Sequence, residues 1–354
     1  MSVFNCEPYL REAVDSILVQ TFTDFEFIIV NDGSSDGTAA VLNAYAQNDS
    51  RIQVAHQENR GAAESWNRGC RLARGKYIAR MDGDDTCVAT RLEKQVEFLE
   101  KHDEVGVLGG EFEFVDVNGN TLGVQHMPLK DHEIRACFPD KSSILHATVL
   151  MRKAIFDAVG GYRRAFDDTA DYDLWLRMGK LCELANLPEV LYRYRTHPSQ
   201  VTYRRVKRQA LSYLAAGATF PGGEDYLASA REVTPELLAK LGVSEAVIER
   251  SLATFYRNET NMMCWAGQTA AALELVLEML RSSRWEHIEN RKRFLSDNWL
   301  RAAGLHWEQR QYASGLAAIT RAVMMRPMVA GRPIKKVLDR MRDAARAQSS
   351  PAAR

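Results

Sequence analysis

The first hundred residues alternate between helix-like and strand-like segments, and this alternation constrains the fold more than any other feature. Residues 8–20 place apolar side chains at helical spacing, and the apolar run Phe25–Val30 is then predicted as a strand. The alternation continues through these predicted elements: helices over 38–48, 62–73 and 90–102, and strands over 51–55, 77–81 and 105–109. It predicts an α/β domain with a mostly parallel sheet and helices on both faces.

The pattern changes toward the C-terminus. Residues 145–151 are predicted as one more buried strand, and from about residue 205 the sequence is almost purely helical. Apolar and small residues between Trp299 and Pro327 partly match a tetratricopeptide-type repeat, with an ordinary helical bundle as the alternative. We therefore predict three regions: an α/β domain over 1–204, a helical domain over 205–335 and a disordered tail over 336–354.

Composition narrows the functional classes. The 354 residues carry 46 Lys plus Arg and 46 Asp plus Glu, and this balance argues against a general nucleic-acid binder. No apolar run approaches the roughly 18 residues that span a bilayer, and no secretory signal is visible. The six cysteines form no C-x-x-C pair, which argues against zinc and a disulfide framework. We expect a cytoplasmic protein, either free or attached peripherally to the inner face of the plasma membrane.

An acidic cluster follows the predicted strand over 77–81. Asp82, Asp84 and Asp85 come directly after the apolar run, at the end of a strand where open α/β sheets bind their ligands. Neighbouring carboxylates repel one another unless a cation lies between them. Mg²⁺ and Mn²⁺ prefer such oxygen ligands and are often held by carboxylates together with substrate phosphates. The cluster thus indicates a metal and a phosphorylated substrate, with a solvated acidic loop as the alternative.

Other polar residues could belong to the same site. Asp32 ends the earlier strand and opens a Gly-rich turn, so it either contacts a nucleotide at the sheet edge or simply forms the turn. Asp171 and Asp173 begin a predicted helix, where one acid could be a cap and the other catalytic. His197 lies in a polar loop, where a surface role is the alternative to a metal ligand.

Short motifs follow one another in a characteristic order through residues 2–200. They are Asn5-x-x-Pro8-Tyr9-Leu10, Val30-Asn31-Asp32-Gly33-Ser34-Ser35-Asp36-Gly37-Thr38, Asn59-Arg60-Gly61, Asn67, Gly75-Lys76-Tyr77-Ile78-Ala79-Arg80, Asp82-Gly83-Asp84-Asp85, Gly160-Gly161-Tyr162, Asp171-Tyr172-Asp173-Leu174-Trp175 and Tyr194-Arg195. In their order and spacing these residues resemble glycosyltransferase family 2, whose members have the GT-A (Rossmann-like) fold.

The resemblance implies a role for each matching position. Asp32 would accept a hydrogen bond from the nucleotide base, and Asp82 would lie near ribose and phosphate. Asp84 would ligate Mg²⁺ or Mn²⁺, with His197 beside the metal and the diphosphate. Asp171 matches the catalytic base. The remaining donor contacts implied are Asn5, Gly33, Arg60 and Asn67.

These roles imply an inverting, metal-dependent glycosyltransferase. It would move a sugar from a nucleotide-diphosphate sugar, most often a UDP-sugar in this family, to a hydroxyl of a glycan, lipid-linked or protein acceptor. The helical region would bind the acceptor, a protein partner or a membrane surface. Two alternatives are a nucleotidyltransferase, whose basic Gly-rich phosphate loop is not visible, and a decayed transferase that acts as a scaffold.

Two positions depart from the family pattern. Ala170 stands where relatives usually carry a Glu, so a supporting carboxylate is expected to be absent. Relatives also begin with a buried strand, and Met1–Asn5 begins where that strand should end. The first strand is therefore expected to be missing, which would leave unpaired backbone groups in the sheet. A start further upstream and a degraded paralogue are the two explanations.

Overall fold

The computed structural model describes residues 1–138, 142–200, 204–219 and 233–326. The chain divides into two compact units, the first formed by Met1–Thr196 with Ser212–Leu237 and the second by His197–Leu211 with the residues from Leu238 onward. The predicted domain boundary at residue 204 stays a prediction, and the predicted tail over 336–354 lies outside the described residues.

Strands and helices alternate through the N-terminal part of the first unit. They are β1 (Ser2–Val3), α1 (Glu7–Leu18), β2 (Phe27–Asp32), α2 (Thr38–Asn48), β3 (Ile52–Gln57), α3 (Ala62–Leu72), β4 (Tyr77–Ala79), β5 (Thr86–Cys87), α4 (Arg91–Lys101), β6 (Val105–Val115), β7 (Thr121–Gln125), α5 (Asp131–Cys137), β8 (Leu150–Arg152), α6 (Lys153–Ala158), α7 (Ala170–Met178) and β9 (Glu183–Arg195). Short 3₁₀ turns cover His146–Thr148 and Arg164–Thr169.

The strands form two sheets of different character. One sheet is wholly parallel, in the order β1-β2-β3. The other has the order β4-β8-β6-β9-β5 with β7 beside β6, and only its β6–β9 pair is parallel. The prediction of an α/β fold followed by helices is confirmed. The sheets taken together are mixed rather than mostly parallel, because β4, β5 and β7 each meet their neighbours in the antiparallel direction.

The strand predicted over 145–151 is wrong for most of its length. Residues His146–Thr148 form a 3₁₀ turn, and the strand begins only at Leu150. Thr148 stabilises the turn, because both its amide (3.0 Å) and its hydroxyl (2.8 Å) donate to the Leu145 carbonyl. Apolar composition alone does not separate a buried turn from a buried strand.

The core of the first unit lies on both faces of the sheets. Helix α1 buries Leu10, Val14 and Ile17, a helical spacing, against strand β2, whose Ile29 is fully buried. On the opposite face, helix α3 contacts β2, and a separate cluster around Trp175 fills the space beneath β6 and β8. Removing these apolar side chains from water favours folding by roughly 25 cal/mol per Å² buried. The polar ends of the strands are thereby held on a rigid base.

Helices form the rest of the described chain. They are α8 (Val206–Thr219), α9 (Pro235–Lys240), α10 (Glu245–Trp265), α11 (Thr269–Ser282), α12 (Arg291–Glu308) and α13 (Tyr312–Met325). Helices α12 and α13 pack as a hairpin, in which Ser296 donates to the Ala322 carbonyl at 3.2 Å and Arg321 lies over the Trp299 ring. The tetratricopeptide-type interpretation stays a prediction, and Pro327 lies outside the described residues.

Within the described residues, none of the helices has the length and apolar character required to cross a membrane. The predicted cytoplasmic location stays a prediction.

Candidate functional site

Asp32 is the last residue of β2 and is buried. Its Oδ1 accepts hydrogen bonds from Gln57 Nε2 at 2.7 Å and from the Arg60 amide at 2.8 Å, and its Oδ2 accepts from the Gly61 amide at 3.0 Å. These bonds attach the loop after β3 to the end of β2. A carboxylate has about four lone-pair sites, so three bonds leave one acceptor position.

The turn after Asp32 is held by the segment that follows β1. Gly33 has φ +76°, and a Cβ there would lie 2.7 Å from the Asn59 amide nitrogen, so only glycine fits. Asn5 Oδ1 accepts from the Ser35 amide at 2.9 Å, while the Asn5 amide donates to Ser34 Oγ at 2.9 Å. The predicted residues Asn5 and Gly33 thus shape one loop at the edge of the parallel sheet.

Arg60 precedes α3, and Asn67 lies in the middle of that helix. The Arg60 backbone binds Asp32, while the residue itself is exposed. Asn67 holds the backbone of Tyr162 through both ends of its amide, donating to the carbonyl at 2.8 Å and accepting from the amide nitrogen at 2.9 Å. This contact fixes the Gly160–Tyr162 turn against α3, and the donor contact predicted for Asn67 stays a prediction.

Strand pairing places Asp82 at the same sheet edge as Asp32. Ser2 of β1 pairs with Val30 on one side and forms a parallel bridge to Asp82 on the other. Because neighbouring strands are about 4.8 Å apart, the ends of β2 and β4 are separated by about 10 Å across β1. The expectation that both acidic groups reach one edge therefore agrees with the observed register.

A buried arginine holds Asp82. The Arg80 side chain is 6% exposed, and its guanidinium donates to Asp82 Oδ1 at 2.6 Å. The same guanidinium lies 4.6 Å from the ring centroid of Trp66, a cation–π contact. The charge of Asp82 raises the pKa of Arg80 against the opposing effect of its burial. Arg80 therefore sets the position of the first carboxylate of the acidic cluster.

Behind Arg80 lies a pair that the sequence did not reveal. Arg80 Nε donates to His146 Nε2 at 3.2 Å, and the Tyr162 hydroxyl lies 2.7 Å from the same nitrogen. Burial and the nearby Arg80 charge lower the pKa of His146 well below its ordinary value, which keeps the ring neutral and able to accept. His146 and Tyr162 are far from Arg80 in sequence, and although Tyr162 belongs to the Gly160-Gly161-Tyr162 motif, no local pattern indicates that it contacts His146 beside Arg80.

The other two acids of the cluster differ in environment. Asp85 is buried, and its Oδ1 accepts from the Arg195 amide at 2.7 Å. Burial, with the charges of Asp84 and Asp82, raises the pKa of Asp85 well above its ordinary value. Asp84 is less enclosed, and its carbonyl accepts from Arg195 Nε at 2.9 Å. The geometry favours Asp84 over Asp85 as an outward-facing ligand.

Asp171 and Asp173 also have separate roles. Asp173 is buried between Arg163 and Arg177, and Arg177 donates to its Oδ2 at 2.7 Å. Asp171 opens α7, and burial raises its pKa against the opposing effects of helix amides and of Arg80. The Asp82 charge raises it further. Asp171, Arg80 and Asp82 therefore interact electrostatically, whereas Asp173 is an internal ion-pair residue.

Two aromatic residues beside these acids belong to the core. Trp175 is fully buried and meets His146 edge-on at 5.9 Å between ring centroids. Tyr172 is also buried and stacks on Tyr213 at 4.0 Å. Trp175 therefore packs in the core and does not line an open site.

His197 lies in the second unit and is 5% exposed. Its Nδ1 is 2.7 Å from Ser199 Oγ, and its amide donates to Gln200 Oε1 at 3.1 Å. Among the described residues, no group of three His, Cys, Asp or Glu side chains is arranged to hold a metal by itself. The metal roles of His197 and Asp84 stay predictions.

Sequence comparison identifies relatives across the first unit. A family profile described as glycosyl transferase family 2 matches residues 1–160. The putative glycosyltransferase EpsE of Bacillus subtilis is 37% identical over 201 residues, which cover 55% of this chain and 71% of that protein. The O-antigen biosynthesis glycosyltransferase WbnJ of Escherichia coli is 31% identical over 217 residues, covering 60% of this chain and 82% of that protein.

Solved structures show the same fold. Residues 1–349 of TarS from S. aureus in complex with UDP give a TM-score of 0.52 at 17% identity, covering 94% of this chain and 90% of that one. The mannosyltransferase PcManGT from Pyrobaculum calidifontis, in complex with GDP-Man and Mn²⁺, gives 0.50 at 15% identity, covering 91% and 84%. At these identities the likeness concerns fold alone. Family membership follows from the sequence relatives: this chain belongs to glycosyl transferase family 2.

Proposed function

We propose that this protein transfers a sugar from a nucleoside-diphosphate sugar to a hydroxyl of a glycan or lipid-linked acceptor, with inversion at the anomeric carbon. One observation carries the proposal. Asp171, the predicted base, interacts electrostatically with Arg80 and Asp82 at the site predicted for the diphosphate. This interaction supports Asp171 as the base that acts beside the carboxylate proposed to face the donor.

The donor would lie along the edge formed by β2, β1 and the acidic cluster. Asp32 retains one acceptor position toward a base N–H, since three bonds already occupy its carboxylate. The loop of Asn5 and Gly33 brings backbone close to the same edge. Arg60, which is exposed, offers a positive charge for phosphate. The structural neighbour TarS was solved with UDP, and this supports a uridine donor.

The residues present fit a divalent cation held jointly with the donor. Mg²⁺ and Mn²⁺ are often bound by one or two carboxylates plus substrate phosphates, and such a site needs no three-residue protein cluster. Asp84 would be the direct ligand, with Asp82 beside it and already oriented by Arg80. When bound, the cation would neutralise the charge that develops on the departing diphosphate. The structural neighbour PcManGT was solved with Mn²⁺.

Asp171 would take the proton from the acceptor hydroxyl. Its raised pKa makes it a stronger base than an ordinary aspartate. As the hydroxyl oxygen attacks the anomeric carbon, the bond from that carbon to the diphosphate oxygen breaks. A single displacement of this kind inverts the configuration. Arg80, positive and buried beside Asp82, would also stabilise negative charge at the donor.

Replacement of the proposed base tests this function. Asp171→Asn should abolish transfer from UDP-sugars while leaving UDP binding, measured by calorimetry with Mn²⁺ present, within about twofold. Asp103→Asn is the matched control, since that side chain is 96% exposed and should change neither. Normal transfer by Asp171→Asn would contradict the assignment of the base. Absence of both binding and transfer in the unaltered protein would favour the scaffold alternative.

The similar proteins support a class of acceptor and no single acceptor molecule. WbnJ is an O-antigen biosynthesis enzyme, so we infer a glycan or lipid-linked acceptor in polysaccharide synthesis. Incubation with a radiolabelled sugar nucleotide and a membrane extract, followed by extraction into organic solvent, tests the lipid-linked form. Label that enters only the aqueous soluble fraction would contradict it.

A further inference from the structure

Helix α13 carries a row of exposed side chains along one face, and three of the four are apolar. Tyr312, Leu316 and Met324 are 38%, 52% and 77% exposed. Together with Thr320 they follow one another every four residues, so they lie on one side of the helix. The Thr320 hydroxyl donates to the Leu316 carbonyl at 3.0 Å, and its polar group is thereby satisfied within the helix. We call these four residues the α13 stripe.

The opposite side of α13 is packed, which holds the stripe outward. Gly315, Ala318 and Ala322 are buried and recur at helical spacing. A Cβ at Gly315 would lie 3.1 Å from the ring of Trp307, so α12 and α13 approach closely at that point. The helix therefore cannot turn its apolar stripe inward without losing this packing.

The hairpin of α12 and α13 places basic side chains at one end of the stripe. Ser296 of α12 contacts the Ala322 carbonyl of α13 at 3.2 Å. Because the two helices are antiparallel, the first turn of α12 lies beside the last turn of α13. The exposed basic residues there are Arg291, Lys292, Arg293 and Arg326. We call these four residues the basic end.

Acidic residues do not balance the basic end. Glu289 is exposed just before it, and the Asp297 carboxylate lies 3.7 Å from Arg293 Nε. Helix α13 itself contains no Asp or Glu. The chain that continues from Arg326, residues 327–354, contains seven Lys or Arg side chains and two Asp. An excess of positive charge therefore lies where the apolar stripe ends.

This combination favours one kind of partner. Apolar side chains beside Lys and Arg are typical of surfaces that lie on anionic membranes, where the apolar groups enter the boundary of headgroups and acyl chains. The negative surface potential of such a membrane attracts basic residues placed next to it. A second copy of this protein would instead bring the same positive charge to the contact. Charge complementarity thus favours anionic lipid.

We propose that the α13 stripe and the basic end form a binding surface for an anionic lipid bilayer. The stripe would lie in the plane of the membrane, with the basic end on headgroup phosphates. Helix α13 has 14 residues, about 21 Å at the usual rise, so it would lie on the bilayer without crossing it. The binding is independent of the proposed function. Only its use, to reach a lipid-linked acceptor, rests on that function.

The test measures sedimentation of the full chain with lipid vesicles. Vesicles of phosphatidylcholine with one third phosphatidylglycerol should bind at least fivefold more protein than phosphatidylcholine alone, and added salt should reduce this preference. Leu316→Glu and Met324→Glu should each weaken binding at least tenfold. Leu181→Glu is the matched control, since Leu181 is 58% exposed in the first unit, and it should bind as the unaltered protein does.

A second pair of variants separates the two parts of the surface. Arg291→Gln combined with Lys292→Gln should lower the preference for phosphatidylglycerol at least fivefold, while the weaker binding to phosphatidylcholine persists. An environment-sensitive dye on Leu316→Cys, located by peptide mass spectrometry, should shift its emission to the blue when anionic vesicles are added. The same dye on Leu181→Cys should not shift.

Two results would overturn the proposal. One is equal vesicle binding by the unaltered protein and by Leu316→Glu. The other is a dye on Leu316→Cys whose emission is already blue without vesicles, which would show that the chain itself or a second copy covers the stripe. Light scattering would identify the second copy as a dimer that Leu316→Glu dissociates. None of these readouts uses UDP binding or transfer, so failure here is separate from failure of the proposed function.

Discussion

The guanidinium of Arg80 donates to the Asp82 carboxylate at 2.6 Å. Residues on the buried side of Arg80 hold this ion pair in place. Trp66 covers one face of the guanidinium, and neutral His146 accepts from its Nε. The Arg80 side chain is 6% exposed whereas that of Asp82 is 32% exposed. The arrangement therefore fixes one oxygen of Asp82 and leaves the rest of that carboxylate toward the open edge.

Arg80→Met should remove this support with little change in side-chain volume. Loss of one partner of a buried ion pair costs about 3–5 kcal/mol, and because Asp82 is partly exposed we expect about 3 kcal/mol or less. Urea unfolding measures this loss, and titration with UDP should show affinity at least tenfold weaker. Arg74→Met is the control, since that side chain is 83% exposed. Unchanged UDP affinity in a folded Arg80→Met protein would contradict the role given to Arg80.

Much of the first unit was predictable because its signals are local. Helical spacing in α1, the apolar run of β2 and the acids after β4 each lie within a few residues of one another, so periodicity and end position suffice. The Arg80–His146–Tyr162 arrangement was not predictable, since its members are 66 and 16 residues apart. Contacts of that kind depend on tertiary packing.

Ala170, which departs from the family pattern, is explained by its position in the core. The motif comparison treats it as a missing carboxylate, but in the structure Ala170 is 1% exposed within the Trp175 cluster. A Glu there would place a charge in an apolar space. In this chain Ala170 contributes to packing. The sequence pattern alone could not show that its neighbours are apolar.

A divalent cation should strengthen donor binding, and Asp84 should be the residue through which it does so. Because a ligand that binds only the folded state raises its stability by mass action, UDP with Mn²⁺ should raise the melting temperature more than UDP with EDTA. Asp84→Asn should remove most of the Mn²⁺-dependent part of this rise. Asp116→Asn, in the turn after β6, should behave as the unaltered protein does. An equal rise with Mn²⁺ and with EDTA would count against a metal in donor binding.

Asp173→Asn should affect stability rather than the chemical step. Its buried carboxylate is shared by Arg163 and Arg177, so removal of the charge deprives two arginines of this carboxylate, at a cost of about 3–5 kcal/mol. Chemical unfolding measures this cost. At a temperature where the variant is still folded, transfer should remain within about tenfold, in contrast to Asp171→Asn. Complete loss of transfer by well-folded Asp173→Asn would indicate that the base had been assigned to the wrong acid.

The buried Met1 amine should make stability depend on pH. Its pKa is lowered from 8.0 to about 5 in the folded protein, so between these values the unfolded chain binds a proton that the folded chain does not. The free energy of unfolding should therefore rise as pH increases from 5 to 8. Three pH units correspond to about 4 kcal/mol at most.

N-terminal acetylation isolates this contribution, because the acetylated nitrogen does not titrate while His146, Asp171 and Asp85 still do. We expect the acetylated protein to be more stable than the unacetylated one at pH 5.5, and the difference to shrink steadily toward pH 8. Urea unfolding of both forms across this range measures the difference. A gap that stays constant with pH would show that the amine is solvated in the folded protein, and the pairing of Met1 with Ile28 would then have to be abandoned.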